Sequence, residues 1–191
     1  LERRVLYCLL ANRQIAEVRD QWPVVPYALP NGRTGSHTFD FWVRYESGFR
    51  EAIAVRTAAR VQSLGRIGVT LPEMLDNLVT SVFTRFADGR EIYTDADVSE
   101  EDAYNAREIL LSRKHYHEGD YLEALAYVAP ICGSVRFHDL LKGAAVPAYR
   151  RMALWCLIDD GILFPAAPGR ITDLSAMQVN RQLIRLEGRA A

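Results

Sequence analysis

Residues 40 to 56 carry part of the pattern of a metal-dependent centre that cleaves phosphodiester bonds. Asp40 lies in one apolar segment, a turn follows at Glu46-Ser47-Gly48, and the next apolar segment ends in Ala54-Val55-Arg56. Such a centre would end its second strand with an acid or Gln, any residue, and then Lys. The scaffold therefore suggests cleavage of DNA, whereas Ala54 and Arg56 argue against that chemistry.

The two altered positions matter because of what each must supply. Carboxylates and carbonyls bind hard divalent cations, Mg²⁺ or Mn²⁺, and the metal then activates water and stabilises charge on the phosphate. Ala54 offers no ligand. Arg56 cannot lose a proton in a protein, but its planar fork can bind a phosphate. Arg56 therefore suits holding the DNA backbone better than acting as a base.

Two predicted strands, Thr38–Tyr45 and Phe49–Thr57, must position these residues as a hairpin. One face of the first strand carries Phe39, Phe41 and Val43, and the other carries Asp40, Trp42 and Arg44. In the second strand, Glu51 has the opposite parity to Ala54 and Arg56, so it should point away from them. A strand bulge that re-aims Glu51 stays open as an alternative.

The remaining patterns predict helices around both ends of this hairpin and a second, smaller domain. The first part should contain a helix over Leu1–Asn12, an extended segment over Gln21–Leu29, a helix from about Thr70 to Ala87, a strand over Glu91–Thr94 and a helix from Ser99 to Lys114. The second part should contain helices over Tyr121–Val128, Phe137–Leu141 and Pro147–Asp160, then strands at Ile162-Leu163-Phe164 and Ile171-Thr172. That order is typical of a winged helix.

Charge and composition favour a DNA-associated protein of a reducing compartment. Residues 1–70 hold ten Arg against six acids, and residues 71–110 hold ten acids against three Arg. The two lysines are Lys114 and Lys142, so the first 113 residues contain no lysine that could play a catalytic role in the first domain. Three widely spaced cysteines argue against a disulfide framework, and no apolar run is long enough to span a membrane. We expect a cytoplasmic, nucleoid-associated protein without a membrane partner.

Four segments, taken in order, resemble the TnsA-like family, the endonuclease subunits of heteromeric transposases. LERRVLYCLL is similar to the family's first helix, DQWPVVPYAL to its first strand, HTFDFWVRY to the strand with the metal-binding aspartate, and EIYTDADVSEEDAYNAREILLSR to its later strand and helix. The resemblance implies an α/β fold with a restriction-endonuclease-like mixed sheet flanked by helices over 1–114. It also implies a small winged-helix domain over 115–191.

Matched residue by residue, the resemblance assigns site roles. Glu2 matches the family glutamate and Asp40 the aspartate, and the carbonyl of Val55 could add a ligand for Mg²⁺ or Mn²⁺. Ala54 falls where the family has Glu or Gln, and Arg56 falls where it has Lys. Arg150 and Arg151 lie early in the would-be recognition helix, where they could meet DNA phosphates.

Three functions follow as hypotheses. The first is a catalytically degenerate member of a mobile-element system that binds DNA or a transposase or transposition-regulator partner. The second is an active endonuclease that cuts transposon 5′ ends with Glu2, Asp40 and a re-aimed Glu51. The third is a winged-helix regulator whose residues 118–191 bind DNA, with an unrelated N-terminal sensor domain.

Overall fold

The structure is a computed structural model that describes residues 1–29, 31–65 and 67–187. The chain divides into two compact units, Leu1–Ser99 and a second that begins at Glu100. The first unit contains α1 (Glu2–Ala11), β1 (Ile15–Asp20), β2 (Val24–Ala28), β3 (Thr34–Thr38), β4 (Phe41–Tyr45), β5 (Arg50–Val55), α2 (Ala58–Val61), α3 (Leu71–Asp76), α4 (Thr80–Phe83) and β6 (Gly89–Tyr93). The second contains α5 (Glu100–Lys114), α6 (Glu118–Val128), β7 (Val135–Arg136), a 3₁₀ helix (Phe137–Leu141), α7 (Pro147–Asp159), β8 (Leu163–Pro165), β9 (Ala176–Val179) and α8 (Arg181–Glu187).

A four-stranded mixed sheet lies at the centre of the first unit. Its strand order is β1-β4-β5-β6; β4 is antiparallel to β1 and β5, and β6 is parallel to β5. The predicted hairpin is confirmed, because β4 and β5 pair in regular register from Phe41 opposite Ile53 to Arg44 opposite Arg50. Gly48 turns the chain with a φ of 87°, a conformation that glycine adopts without steric cost.

The two faces of this sheet pack against different helices. Phe41, Val43, Ile53 and Val55 share one core with residues of α1. Trp42, Ala52 and Ala54 share the other core with residues of α3 and α4. Because successive strand residues point to opposite faces, helices cover both sides of the sheet. The first unit is therefore α/β, with a mixed sheet flanked by helices, as predicted.

The strand predicted over Thr38–Tyr45 is two strands, with a break at Phe39 and Asp40. β3 pairs with β2 in a separate two-stranded sheet, and β4 begins after the break. The break is held by backbone bonds: the Phe39 N–H donates to the Pro23 carbonyl at 3.1 Å, and the Gln21 N–H donates to the Asp40 carbonyl at 2.9 Å. Phe39 consequently packs in the core of Trp42, and the prediction that it shares a face with Phe41 was wrong.

Two other segments differ from the sequence-based prediction. The strand beside β4 is β1, which has no marked apolar alternation, whereas the Gln21–Leu29 segment forms β2 in the small sheet. The helix expected from Thr70 to Ala87 is interrupted between α3 and α4. There the Ala28 N–H donates to the Asn77 carbonyl at 3.1 Å, and the Val79 N–H donates to the Pro26 carbonyl at 2.8 Å. Backbone bonding to β2 thus replaces a helical turn.

The second unit has the predicted order of helix, short helix, long helix and hairpin. β9 pairs antiparallel with both β8 and β7. The second hairpin strand is Ala176–Val179 and not Ile171-Thr172, because the Ile171 N–H donates to the side chain of Asn105 at 3.0 Å.

Helix α5 lies in the second compact unit, which begins at Glu100, whereas the sequence predicts a boundary after Lys114. Tyr104 and Ile109 of α5 pack on the core of the second unit. Arg113 of α5 pairs with Asp159 of α7 at 2.7 Å. No helix in the described part of the chain is both long and apolar enough to cross a membrane.

Candidate functional site at the end of the central hairpin

Asp40 lies at the break before β4, and its carboxylate faces the end of β5. Its Oδ2 atom accepts a hydrogen bond of 2.7 Å from the N–H of Val55. The side chain is half-buried. The break between β3 and β4 frees Asp40 from strand pairing, and this lets the carboxylate reach the neighbouring backbone. One carboxylate oxygen of the predicted metal ligand therefore accepts a hydrogen bond from the protein backbone.

Arg56 directly follows β5, and its side chain lies against the backbone of Val55. Its Nη1 atom donates to the carbonyl of Val55 at 3.2 Å, and its own N–H donates to the carbonyl of Tyr93 in β6 at 3.0 Å. The Val55 carbonyl is the group that the resemblance offers as a third metal ligand. The positively charged guanidinium of Arg56 thus lies against that oxygen.

Ala54 is part of the apolar core. It is 1% exposed and packs in the cluster that includes Trp42, Leu75 and Phe83. Trp42 is fixed there by a hydrogen bond of 2.8 Å from its indole N–H to the carbonyl of Phe86. A carboxylate at position 54 would enter this apolar environment.

Glu51 points away from Arg56, as its parity predicts. It lies opposite Val43 in a register without a bulge, and its Oε2 atom accepts a hydrogen bond of 2.9 Å from the hydroxyl of Tyr45. Burial, together with this carboxylate, raises the pKa of the Tyr45 hydroxyl. The structure therefore gives no support to a Glu51 that is re-aimed toward Asp40.

Glu2 is exposed in the first turn of α1. That helix packs through Val5 and Leu9 on the sheet face that carries Val55, opposite to the face that carries Ala54. Within the described residues, no hydrogen bond or ion pair links Glu2 to Asp40. The structure brings Asp40, Val55 and Arg56 together and leaves the fourth predicted residue without such a contact.

These side chains are a poor donor set for a hard divalent cation. Such an ion needs several oxygen ligands that converge on one point. Here Asp40 accepts from a backbone N–H, and the Val55 carbonyl accepts from Arg56. Among the described residues, no group of three or more His, Cys, Asp or Glu side chains is arranged to hold a metal ion. We derive no metal-dependent step from this arrangement.

His37 and Arg60 belong to the same site and were not singled out by the sequence. Both line a cavity of about 390 Å³ beside Arg56, which we call the Arg60 cavity. Arg60 lies on α2, whose first N–H, at Ala58, donates to Asp95 at 2.7 Å. Arg56 lies at the end of β5 and Arg60 on α2, so their spacing of four residues is not a helical spacing, and no local sequence signal marks this pair.

The pKa of the His37 imidazole is affected by both Asp40 and Arg56. Burial lowers the pKa of His37, the carboxylate of Asp40 opposes this effect, and the guanidinium of Arg56 adds to it. The ring stacks edge-on against Phe39 at 4.8 Å. Burial thus favours the neutral form of the His37 imidazole, and both predicted site residues affect its pKa.

Arg150 is buried, which does not suit its predicted contact with DNA. It is 5% exposed, pairs with Glu123, and lies 4.8 Å from the ring of Tyr127. Arg151 is about one-third exposed, but it pairs with Asp173 at 2.7 Å. The early part of α7 thus faces the interior at position 150, because the helix packs on α6 there.

The comparisons with known proteins add no family assignment. No protein-family model matches this chain, and no curated protein matches it significantly.

Proposed function

We propose that this chain is a TnsA-like nuclease-fold protein that lacks metal-dependent cleavage and acts by binding DNA beside a transposase or transposition-regulator partner. The mixed sheet with helices on both faces supports a restriction-endonuclease-like core. The segment order behind the resemblance supports the family. The helix, 3₁₀ helix, helix and hairpin of the second unit support a winged-helix domain.

One observation carries the proposal: Arg56 donates to the carbonyl of Val55, where the family would place a metal ion. A fixed cation at that carbonyl can attract the DNA backbone, but it cannot activate a water molecule. Ala54, which is buried in an apolar core, supplies no second ligand for a metal ion. Together these contacts favour binding over cleavage.

DNA binding is supported by two arginines that lack a carboxylate partner. Arg56 bonds to a backbone carbonyl, and the side chain of Arg60 makes no hydrogen bond or ion pair within the described residues. By contrast, Arg50 and Arg90 of the first unit are neutralised, by Asp88 and Asp76 respectively. Cations that no acid neutralises are the groups that phosphates attract most strongly.

The second unit is the better candidate for the protein partner. A cavity of about 670 Å³ opens between α5, α6 and α7, and its wall includes exposed Tyr116 and Tyr149, the latter 60% exposed. Exposed aromatic residues are enriched at protein interfaces. Because Arg150 is buried, α7 offers this apolar wall more readily than it offers cations to DNA. We therefore assign duplex binding to the first unit.

Two measurements on the full chain test the proposal. A gel-shift titration with a short duplex should show binding that weakens with salt, and Arg56→Ala should lower the salt slope by about one phosphate contact. A supercoiled plasmid with Mg²⁺ or Mn²⁺ should remain uncut, with and without an added transposase. Arg85→Ala is the matched control, since Arg85 is exposed, lies outside the Arg60 cavity and has no side-chain partner within the described residues. Plasmid cleavage that depends on Asp40 would overturn the proposal.

A further inference from the structure

The Arg60 cavity carries the positive charge expected of an anion site. Arg56 and Arg60 supply two cations, and no acidic side chain is among its described lining residues. His37 adds an imidazole, and its Nε2 atom is buried without a hydrogen-bond partner in the described part of the chain. An anion with acceptor oxygens could bind the two guanidinium groups.

Part of the cavity wall is apolar. Leu64, Ile67 and Met74 line it, and Leu64 is 71% exposed, so the wall offers hydrocarbon surface to an incoming ligand. The ring of Tyr27 contributes as well. It lies across Gly35, where a Cβ atom would be 2.4 Å from the Tyr27 hydroxyl oxygen, so only glycine permits this ring position.

We infer that the Arg60 cavity binds a single nucleotide, with its phosphate at Arg56 and Arg60 and its base against Leu64 and Met74. The inference rests on the proposed function. A volume of about 390 Å³ is at the small end of ligand pockets, which suits one nucleotide and excludes a duplex. Binding of nucleic acid that combines cations for the backbone with an apolar platform for the base is typical of single-stranded segments.

Two sources could supply that nucleotide, a free mononucleotide or the phosphorylated end of a DNA strand. Calorimetric titration of the full chain with deoxyadenosine 5′-monophosphate, deoxyadenosine and inorganic phosphate addresses the first source. Titration with a short single strand, bearing either a 5′-phosphate or a 5′-hydroxyl, addresses the second. The variants are Arg60→Ala, which removes a cation, and Met74→Trp, which adds bulk to the apolar part of the wall. Arg85→Ala changes the net charge equally, outside the cavity.

The monophosphate should bind about 100-fold more tightly than the nucleoside, as expected for two charge-assisted contacts, to Arg56 and Arg60. Arg60→Ala, which removes one of these contacts, should lose about tenfold, Met74→Trp should lose base-dependent affinity, and Arg85→Ala should leave affinity unchanged. If a strand end is the ligand, the 5′-phosphate should strengthen binding of the strand, and Arg60→Ala should reduce that difference. Circular dichroism of each variant reports whether it is folded.

The possible failures are distinguishable. If the wild-type chain binds neither the monophosphate nor the phosphorylated strand, or if Arg60→Ala binds them with unchanged affinity, the inference is overturned. Retained duplex binding in the gel-shift assay would then leave the proposed function standing. If the mononucleotide binds but the duplex does not, the proposed function fails and the cavity serves a free nucleotide.

Discussion

Replacing Asp40 tests whether its carboxylate stabilises the fold or binds a metal ion. Its Oδ2 atom accepts the Val55 N–H at 2.7 Å, and Val55 is buried in the sheet. Asp40→Ala leaves that N–H without a partner, and a hydrogen bond to a charged acceptor contributes roughly 1.5–3 kcal/mol. We therefore expect the free energy of unfolding to fall by about 2 kcal/mol. Asp40→Asn keeps a neutral acceptor and should cost about half as much.

Urea denaturation followed by tryptophan fluorescence measures this change, because Trp22 and Trp42 lie in the first unit. Each variant should be measured in EDTA and again with Mg²⁺. A bound ion would stabilise the wild-type chain by about 1.4 kcal/mol at ten times its dissociation constant. We expect Mg²⁺ to change neither wild type nor variant. The reasoning is refuted if Asp40→Ala is as stable as wild type in EDTA and Mg²⁺ stabilises the wild type alone.

Three further predictions concern other positions. Ala54→Glu should lower the free energy of unfolding by about 3 kcal/mol or more in the same urea assay, since it buries a carboxyl group in an apolar core, whereas Ala54→Ser should cost far less. Burial lowers the pKa of His37 in the folded chain, so the unfolded chain takes up a proton at higher pH than the folded chain does. The free energy of unfolding should therefore fall as the pH drops below about 6.5. A urea series from about pH 5.5 to 8 should show this fall in the wild type, and His37→Gln should remove the part that comes from His37. Arg150→Ala should destabilise the second unit by about 2 kcal/mol through the loss of its pair with Glu123, with duplex affinity unchanged in the gel-shift assay; a marked loss of affinity in a folded variant would restore Arg150 as a DNA contact.

The hairpin was predictable because its signals are local. Alternating apolar residues and a Ser-Gly turn define the two strands, and the parity of Ala54 against Glu51 follows from the pleat. Strand β1 was not predictable in this way, because its residues are half-exposed at the sheet edge and show little alternation. The break at Asp40 depends on bonds to residues 15 positions away or more, such as Val55, which no local pattern encodes.

In the candidate site too, some residues were predictable from local sequence and others were not. Position in sequence placed Asp40 and Arg56 at one end of the hairpin, and the structure brings both to the backbone of Val55. His37 and Arg60 come from a different sheet and a short helix, so only tertiary packing reveals that they share a cavity. For Arg150, the sequence placed the residue in an early turn of a helix but did not show to which side of the helix its side chain points. Packing of α7 on α6 decided that its side chain is buried.

The burial of Ala54 also bears on how this protein can evolve. An acid introduced at position 54 alone would meet the hydrocarbon of Trp42 and Phe83 and destabilise the fold. A lysine introduced at position 56 alone would face a site with one carboxylate. The buried position of Ala54 thus sets a stability cost on any acid at that position, whether or not position 56 changes with it.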